Sequence, residues 1–517
     1  MTAPQGDVDV LVVGLGPTGA TLAIMLAQRG WRVAVAERRP EPYPLPRATS
    51  FDGETARLLA GTGIGAELRE LSLPATGYQW RDARGRVLLD IGFSRTGRYG
   101  WPDANTMHQP TLEAVLTRRL AEFPQALLWR GHRVVSLAEH GDRVVVGTES
   151  VDGEAHTATA RWVVGCDGAN SFVREWLGVG VTDLGFSYDW LLCDVELTGD
   201  REFVPTNQQL CDPARPTTMV GSGPGRRRWE FMRLPGEDVA ELRTEDATWR
   251  LLAPHGVRPG SARLLRSATY TFRAMWAEQW RAGRVLLAGD AAHLMPPFAG
   301  QGMCSGIRDA ANLGWKLDLV LRGAPDVLLD TYTVERRGQA RQAIRESVKL
   351  GRVICVTDPA AAADRDAAIL ANARPGPSAP EPAKPLAEGL LSRLPETLAA
   401  ARGDVVPQGR VRVRGRTGLF DDLVGRGFVL LTTGTPTAAS TVVEPAAPPA
   451  APGLDVVPAH LAAGAVEDVD GGYLSYLAGL GAAAVLVRPD YHVFGAVADH
   501  ARVPALLADL GRQLNAA

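Results

Sequence analysis

The sequence predicts an α/β chain of three parts: a βαβ nucleotide-type domain, an antiparallel sheet inserted into it, and a further α/β domain at the C-terminus. Three observations predict this. A nearly continuous apolar run, Asp9-Val10-Leu11-Val12-Val13, leads straight into Gly14-Leu15-Gly16-Pro17-Thr18-Gly19. A second glycine turn, Gly289-Asp290, follows another apolar run far downstream. Between the two, from about Phe186 to Phe272, strand-like pieces replace the alternation of strand and helix. A length of 517 residues suits about three domains of ~100–200 residues each.

The first apolar run has the length and composition of a parallel strand buried on both faces. Thr18 to Arg29 has helical spacing, with Leu22, Met25 and Leu26 on one face, and Arg32 to Glu37 reads as the second strand. Ala56 to Leu71 is helical but interrupted by Gly61, Gly63 and Gly65. Thr111 to Phe123 is a clearer helix, with Pro110 near its first turn, where a missing N–H is harmless. Hairpins are expected about Gly141-Asp142 and Asp152-Gly153, and the strand Arg161 to Val164 leads into Gly165-Cys166-Asp167-Gly168. Residues 1–180, with 273–358, form the first domain.

Strand-like pieces at Trp190–Leu197, Thr217–Val220, Arg228–Leu234 and Ser267–Phe272 assign 181–272 to an antiparallel sheet. Its position between the two glycine turns makes it a lid or substrate layer. The strand Arg284 to Ala288 returns to the first domain, and Ser305–Arg322 and Leu328–Leu350 read as long helices. Residues 359–385, rich in alanine and proline, read as a linker or loosely ordered bridge. Residues 386–517 form the third domain. It has a strand at Gly427–Thr432, a helix at Gly472–Leu480, a hairpin about Pro489-Asp490-Tyr491 and a closing helix at Val503–Leu514. Pro445 to Pro452 reads as a loop.

A net charge of −3 and a pI of 6.3 give no electrostatic reason to expect nucleic acid or an anionic membrane as partner. Lysine occurs only at Lys316, Lys349 and Lys384, which leaves little scope for Schiff-base chemistry. The five cysteines, Cys166, Cys193, Cys211, Cys304 and Cys355, include no C-x-x-C pair, and the nine histidines show no metal-ligand spacing. No metal site is expected, and a reducing, cytoplasmic setting fits. The run Val8–Val13 is too short to span a bilayer and follows Asp7 rather than a basic segment, so neither a membrane anchor nor a signal peptide is expected there.

In the first motif Gly14 allows the tight turn, Gly16 lets backbone approach a pyrophosphate, and Gly19 lets helix pack on strand. The helix N-terminus then faces the phosphates, a term of ~0.3–1 kcal/mol for an exposed anion and up to ~2 kcal/mol when partly buried. Glu37, eighteen residues after Gly19, closes the second strand where an acid takes ribose hydroxyls. A bare glycine turn without ligand leaves that acid unexplained. The second motif, Gly289-Asp290, reads alone as a possible helix cap. It is followed by Pro296-Pro297-Phe298-Ala299-Gly300-Gln301-Gly302-Met303-Cys304-Ser305-Gly306, with prolines to stiffen one wall and glycines to admit a flat ring. A carboxylate there suits a polyol chain. Nicotinamide coenzymes lack one and FAD has the ribityl, so the pair of motifs points to a flavin. The third motif, Gly165-Cys166-Asp167-Gly168, reads either as a plain turn or as part of the nucleotide site. Arg174 either serves a phosphate or caps the fold.

In order and approximate spacing these motifs resemble the single-component FAD-dependent aromatic hydroxylases of the p-hydroxybenzoate hydroxylase type, and more closely the 3-(3-hydroxyphenyl)propionate hydroxylases. The resemblance covers about Asp7 to Leu350. It extends to Pro46-Arg47-Ala48, Gln109-Pro110, Cys211-Asp212-Pro213-Ala214-Arg215-Pro216, Trp229-Glu230-Phe231-Met232, Leu328-Leu329-Asp330-Thr331-Tyr332 and Glu335-Arg336-Arg337. It implies a Rossmann-like FAD-binding domain. Gly14, Gly16, Pro17, Thr18 and Gly19 would hold the pyrophosphate, and Glu37 the ribose. Arg38, Arg47, Gln109 and Val134 would lie along the coenzyme, and Asp290 would hold the ribityl chain. Pro297, Gly300, Gln301, Gly302, Met303 and Cys304 would border the isoalloxazine, and Asp167 and Gly168 would form a second nucleotide fingerprint. The C-terminal part resembles the thioredoxin-like domain appended to such hydroxylases. With no cysteine after Cys355 it is expected to pack, in a dimer or otherwise, and not to exchange disulfides.

The implied activity is that of a monooxygenase consuming NADH or NADPH and O2, with non-covalent FAD. A flavin hydroperoxide would hydroxylate a phenolic or polyketide-like aromatic. Substrate candidates are Tyr188, Arg228, Glu230, Met232, Pro296 and Phe298; Tyr188 and Tyr270 are possible phenol partners. On the strand about residue 230, Arg228, Glu230 and Met232 share one face and Trp229, Phe231 and Arg233 the other, with no sign of which looks into the cavity. The run Arg226-Arg227-Arg228 reads as a solvated hairpin before a carboxylate site, and His293 as a buried structural histidine. No catalytic base stands out. A Baeyer–Villiger oxygenase and a flavin-bound sequestering protein remain as alternatives. A halogenase lacks its W-x-W-x-I-P segment here.

Overall fold

The computed structural model describes residues 6–199, 201–373, 376–380, 384–434 and 455–516. Strand Asp7–Val13 is central to the first sheet, parallel to Val33–Glu37 on one side and to Ala155–Gly165 on the other. Val285–Leu287 and Ala126–Arg130 extend the parallel set. Both faces are covered, so Val10, Leu11 and Val12 are fully buried and the run needs no polar alternation. Helix Pro17–Ala27 crosses this sheet and packs against helix Gly302–Leu321, where Gly314 admits Leu22 and Met25. The expected interruption of the next helical segment falls at Gly63, whose φ of +93° separates Gly53–Leu59 from Gly65–Leu71. The hairpins about Gly141 and Gly153 join His132–His140, Arg143–Ser150 and Ala155–Gly165.

The second sheet is mostly antiparallel and built on the long strands Val181–Leu197 and Ala262–Ala277, with Arg226–Met232, Thr217–Gly221 and Asn207–Cys211 beyond them. It is not a simple insertion of 181–272. Gly77–Asp82 and Val87–Gly92, from within the expected first domain, complete one edge, and His293–Leu294 joins the other. Short alternating stretches carry little period signal, which is why these edge strands were not expected. The two layers are thus stitched together at both edges of this sheet.

A second difference lies in 359–385. Pro359–Ala371 is an α-helix, started by Asp358, whose carboxylate accepts from the Ala361 N–H, with Pro359 in the first turn. Alanine suits a helix as well as a loop, and the cap decides. Residues 374, 375 and 381–383 of that stretch, and the loop at 445–452, lie outside the described residues.

The C-terminal sheet orders Arg416–Leu419, Arg410–Val413, Val466–Asp468, Val456–Leu461, Phe428–Thr433, Ala484–Val487 and Val493–Val497, with helices Gly472–Leu480 and Val503–Ala516. It docks on the first domain of its own chain. Arg57 pairs with Asp421 at 2.7 Å and lies 3.7 Å over the Tyr491 ring. Trp315 meets Phe428 edge to face at 5.5 Å. Among the described residues no helix is long and apolar enough to cross a membrane.

Candidate functional site

The glycine turn has one open position and two closed ones. A Cβ on Gly14, whose φ is +103°, would lie 2.5 Å from the Cys166 carbonyl oxygen, and one on Gly19 would collide with the Gly14 carbonyl. A Cβ on Gly16 meets nothing within 4 Å. Gly14 and Gly19 therefore hold the fold together, while the space over Gly16 is free for a ligand. Helix Pro17–Ala27 starts there without a side-chain cap, so its first N–H groups are available to an anion. The Glu37 carboxylate accepts from the Leu15 N–H at 3.0 Å and the Arg39 N–H at 2.9 Å, which brings the acid against the glycine turn. Arg38 is exposed. Val134 is 5% exposed with its side chain in the core, which leaves only its backbone for a coenzyme.

The third motif is a structural turn. Ser171 Oγ donates to Asp167 Oδ1 at 2.5 Å and the Val173 N–H to Oδ2 at 3.2 Å, so the Asp167 carboxylate is occupied locally. Gly168, with φ of +85°, makes the turn. Arg174 donates to the carbonyls of Ala169 and Ala291 and caps the fold. The Cys166 backbone packs on Gly14, which sets Asp167 and Gly168 beside the glycine turn.

The Gly289-Asp290 turn is fixed from below by Asp309, a residue the sequence pattern did not single out, together with His293 and Arg336. Asp309 Oδ2 accepts from the Gly289 N–H at 3.0 Å and lies 2.7 Å from His293 Nε2, while Arg336 Nε donates to Oδ1 at 2.8 Å. Burial opposes ionisation of Asp309, yet His293 and Arg336 hold its carboxylate below the usual range. His293 is buried and structural, as expected. Thr18 is wedged between Gly289 and Gly306. Asp290 itself is half-buried, its carboxyl raised by burial, and it accepts no hydrogen bond from the described residues. A carboxylate so placed has acceptor capacity for hydroxyl groups.

After the turn, Pro297 is exposed and Gly300 takes φ of +65°. Gln301 precedes helix Gly302–Leu321, again without a side-chain cap. Its amide nitrogen donates to Asp52 at 3.2 Å and its oxygen accepts from Arg308 at 2.9 Å. Met303 is half-buried and Cys304 buried. Gln109 accepts from the Arg47 and Ala48 N–H groups at 3.1 and 2.6 Å and thereby holds the loop 46–48. Arg47 projects from it, exposed.

The structure decides which face of the second sheet looks at this groove. Trp229 and Phe231 face away, into a cluster with Leu242, Leu252 and Val257. Arg228, Glu230 and Met232 face inward with Trp190, Leu192 and Asp194 from the paired strand. Trp190 pairs with Tyr270, and the Asp290 carboxylate is near enough to Tyr270 to help raise its phenol, after partial burial. Phe298 packs at 5.6 Å from Trp190, 5.7 Å from Phe272 and 6.1 Å from Phe186, beside Met232. Tyr188 sits 4.9 Å from Phe186, and Pro296 is buried.

The arginine run differs from the expected solvated hairpin. Arg227 is 5% and Arg228 2% exposed. Arg228 is committed: it donates to Asp194 at 2.7 and 3.1 Å, to the Arg47 carbonyl at 2.6 Å and to the Pro46 carbonyl at 2.7 Å. Arg266 also donates to Pro46 at 2.7 Å. Arg228 is therefore a clamp on the loop 46–48, with four of its five N–H donors engaged and its Nη1 3.7 Å from Glu230 Oε1. Glu230 lies between clamp and aromatic cluster, 6% exposed. Burial raises its carboxyl to about 6 against the pull of Arg228 at 3.7 Å.

Residues 7–347 match the family described as FAD binding domain, and residues 403–513 the HcaD C-terminal domain. A probable NADH-specific resorcinol 4-hydroxylase of Rhodococcus jostii is 41% identical over 514 residues, covering 98% of this chain and 95% of that one. A 3-(3-hydroxy-phenyl)propionate/3-hydroxycinnamic acid hydroxylase of Mycolicibacterium smegmatis is 37% identical over 442 residues, covering 83% and 78%. The crystal structure of aklavinone-11 hydroxylase with FAD and aklavinone superposes with a TM-score of 0.79 at 27% identity over all of both chains.

Proposed function

The chain belongs to the FAD binding domain family of flavoprotein monooxygenases, and on that premise we propose that it hydroxylates a hydroxyl-bearing aromatic ring, with non-covalent FAD, NADH as electron donor and O2 as co-substrate. The observation that carries this reading is the pairing of an open space over Gly16 with a free Asp290 carboxylate, under the inward face of the second sheet. The residues present fit FAD. Glu37 and the helix starting at Pro17 would take ribose and pyrophosphate, Asp290 the ribityl hydroxyls, and the backbone of Gly300 to Gly302 the ring edge. Bound FAD would supply hydride acceptance and the transfer of one oxygen atom from O2 to the arene.

The chain's own part is placement. Trp190, Phe272 and Phe298 form an apolar wall that excludes water from the reacting ring. Arg228, Arg266 and Gln109 hold the loop 46–48, from which Arg47 reaches toward the Asp290 side of the groove. The FAD-binding part is assigned to 1–180 and 273–358 with 77–92 given over to the substrate layer, and 386–517 to an appended thioredoxin-like domain. The similarity to a relative named as NADH-specific supports NADH over NADPH. The test is spectroscopic and kinetic. Purified protein is yellow with releasable FAD, and resorcinol-type phenols accelerate NADH oxidation with matching O2 uptake and a product heavier by one oxygen atom. A colourless protein indifferent to added FAD refutes the reading. Bound flavin with no ligand-stimulated oxidation favours a sequestering protein.

A further inference from the structure

Resting on the proposed aromatic hydroxylation, we propose that Glu230 receives the ring hydroxyl of the substrate and so selects a neutral hydroxyarene over one that carries a carboxylate. Three placements lead there. Glu230 shares its strand face with Arg228, two residues before, which grips Pro46 and Arg47, and with Met232, two residues after, which packs beside Phe298. At ~3.3 Å per residue along a strand it stands about 7 Å from each, between the coenzyme-side loop and the aromatic wall. Leu192 and Thr218 flank it on the neighbouring strands. It is thus a buried carboxyl at the border between a charged cluster of Arg228, Asp194 and Arg266 and the aromatic wall.

The charges around it leave this carboxylate as an acceptor. Arg228, on its own strand, is committed to Asp194 and two carbonyls. Asp194, from the adjacent long strand, adds a negative charge, and Arg266, from the next, is held by Pro46 and lies 4.0 Å from Asp194. Tyr78, from the strand Gly77–Asp82, shares Gln209 with Thr218: Thr218 Oγ1 donates to the Gln209 oxygen at 2.6 Å, and the Tyr78 hydroxyl lies 3.5 Å from it. Burial, Cys211 and Glu230 together push the Tyr78 phenol upward, so Tyr78 stays a neutral donor. A phenol O–H directed at Glu230 gains a charge-assisted hydrogen bond. Proton transfer breaks that O–H bond, leaves its electron pair on the ring oxygen and places the proton on a Glu230 carboxylate oxygen, which makes the ring electron-rich. A substrate carboxylate in the same place meets the like charges of Glu230 and Asp194 in a low-dielectric wall.

The experiment titrates FAD-loaded wild type, Glu230→Gln and Glu230→Asp with resorcinol and with 3-(3-hydroxyphenyl)propionate, following flavin absorbance from pH 5 to 8 and NADH oxidation alongside. Wild type binds resorcinol in preference, with affinity rising through about pH 6 and then levelling. Glu230→Gln loses about tenfold in resorcinol affinity, the scale of one hydrogen bond to a charge. It also loses the pH dependence and discriminates less against the propionate, whereas Glu230→Asp keeps the rise. Unchanged resorcinol affinity and pH profile in Glu230→Gln, or a wild-type preference for the propionate, overturns the proposal. Should Glu230→Gln fail to retain FAD, the wild-type preference and the Glu230→Asp profile decide it. Stimulation of NADH oxidation by the propionate alone leaves the hydroxylase reading standing and removes this proposal; stimulation by neither ligand removes both.

Discussion

Glu335 and Arg488 face each other across the boundary between the first domain and the C-terminal domain, joined at 2.7 and 3.0 Å and fully shielded from solvent. Lys316 reaches the same carboxylate at 2.8 Å, and Arg488 also holds Asp490 at 2.7 Å. Burial works against the Glu335 charge, but Arg488 and Lys316 outweigh it and hold the carboxyl at about 2. A buried pair is weak proof of stability while intact, yet removing one partner strands the other.

Arg488→Ala is therefore expected to destabilise the chain by about 3–5 kcal/mol, seen as a lowered Tm and faster proteolysis of the C-terminal part. The Glu335 contribution is fully present above its unfolded value near 4.5 and fades as pH falls toward 2. An Arg488→Ala protein as stable as wild type at pH 7 would show that the domains are held by packing alone.

The glycine turn separates fold from ligand. Gly19→Ala forces a Cβ into the Gly14 carbonyl and is expected to lower the stability of FAD-free protein by about 1–3 kcal/mol. Gly16→Ala leaves the FAD-free Tm alone and weakens FAD binding by about tenfold, or ~1.4 kcal/mol. Thermal melts of stripped protein and FAD titrations check both. Equal losses of Tm in the two variants would contradict the assignment of the open space to the coenzyme.

Asp290→Ala is expected to release FAD more readily than Asp326→Ala. Asp326 is exposed and pairs with Arg281 at 2.7 Å, remote in role from the turn. Gel filtration followed by the ratio of flavin to protein absorbance measures retention, and equal retention refutes the ribityl assignment.

Glu230→Gln bears on stability as well as binding. A carboxyl raised from 4.5 to about 6 in the folded state stabilises the protein below pH 4.5, and this contribution is lost as pH rises through about 6. At pH 7.5 the variant should thus gain on the order of 1–2 kcal/mol relative to its standing at pH 4.5. Melts at the two pH values that differ by the same amount for both proteins would place Glu230 in an environment more polar than its burial indicates.

The sequence by itself determined the first strand, its glycine turn, the acid at Glu37 and the Gly289-Asp290 turn, because each is a local pattern: an apolar run, a spacing, a glycine where no Cβ fits. It also placed the hairpins, the long helices and about half the strands of the second and third sheets. Tertiary structure decided what lies between distant segments. The strands at 77–92 join the second sheet only because another strand's edge is there to pair with. Asp309 supports the Gly289-Asp290 turn across 20 residues of chain and is itself held by Arg336 across a further 27, which no window of sequence brings together. Arg228 reads as one of three surface arginines until Asp194, Pro46 and Arg47 are seen to surround it. Strand alternation offered two equivalent faces about Glu230. The choice between them came from which side found helices Val239–Leu242 and Glu245–Leu252 and which found Phe298, since burial is a property of what packs opposite and not of the strand alone.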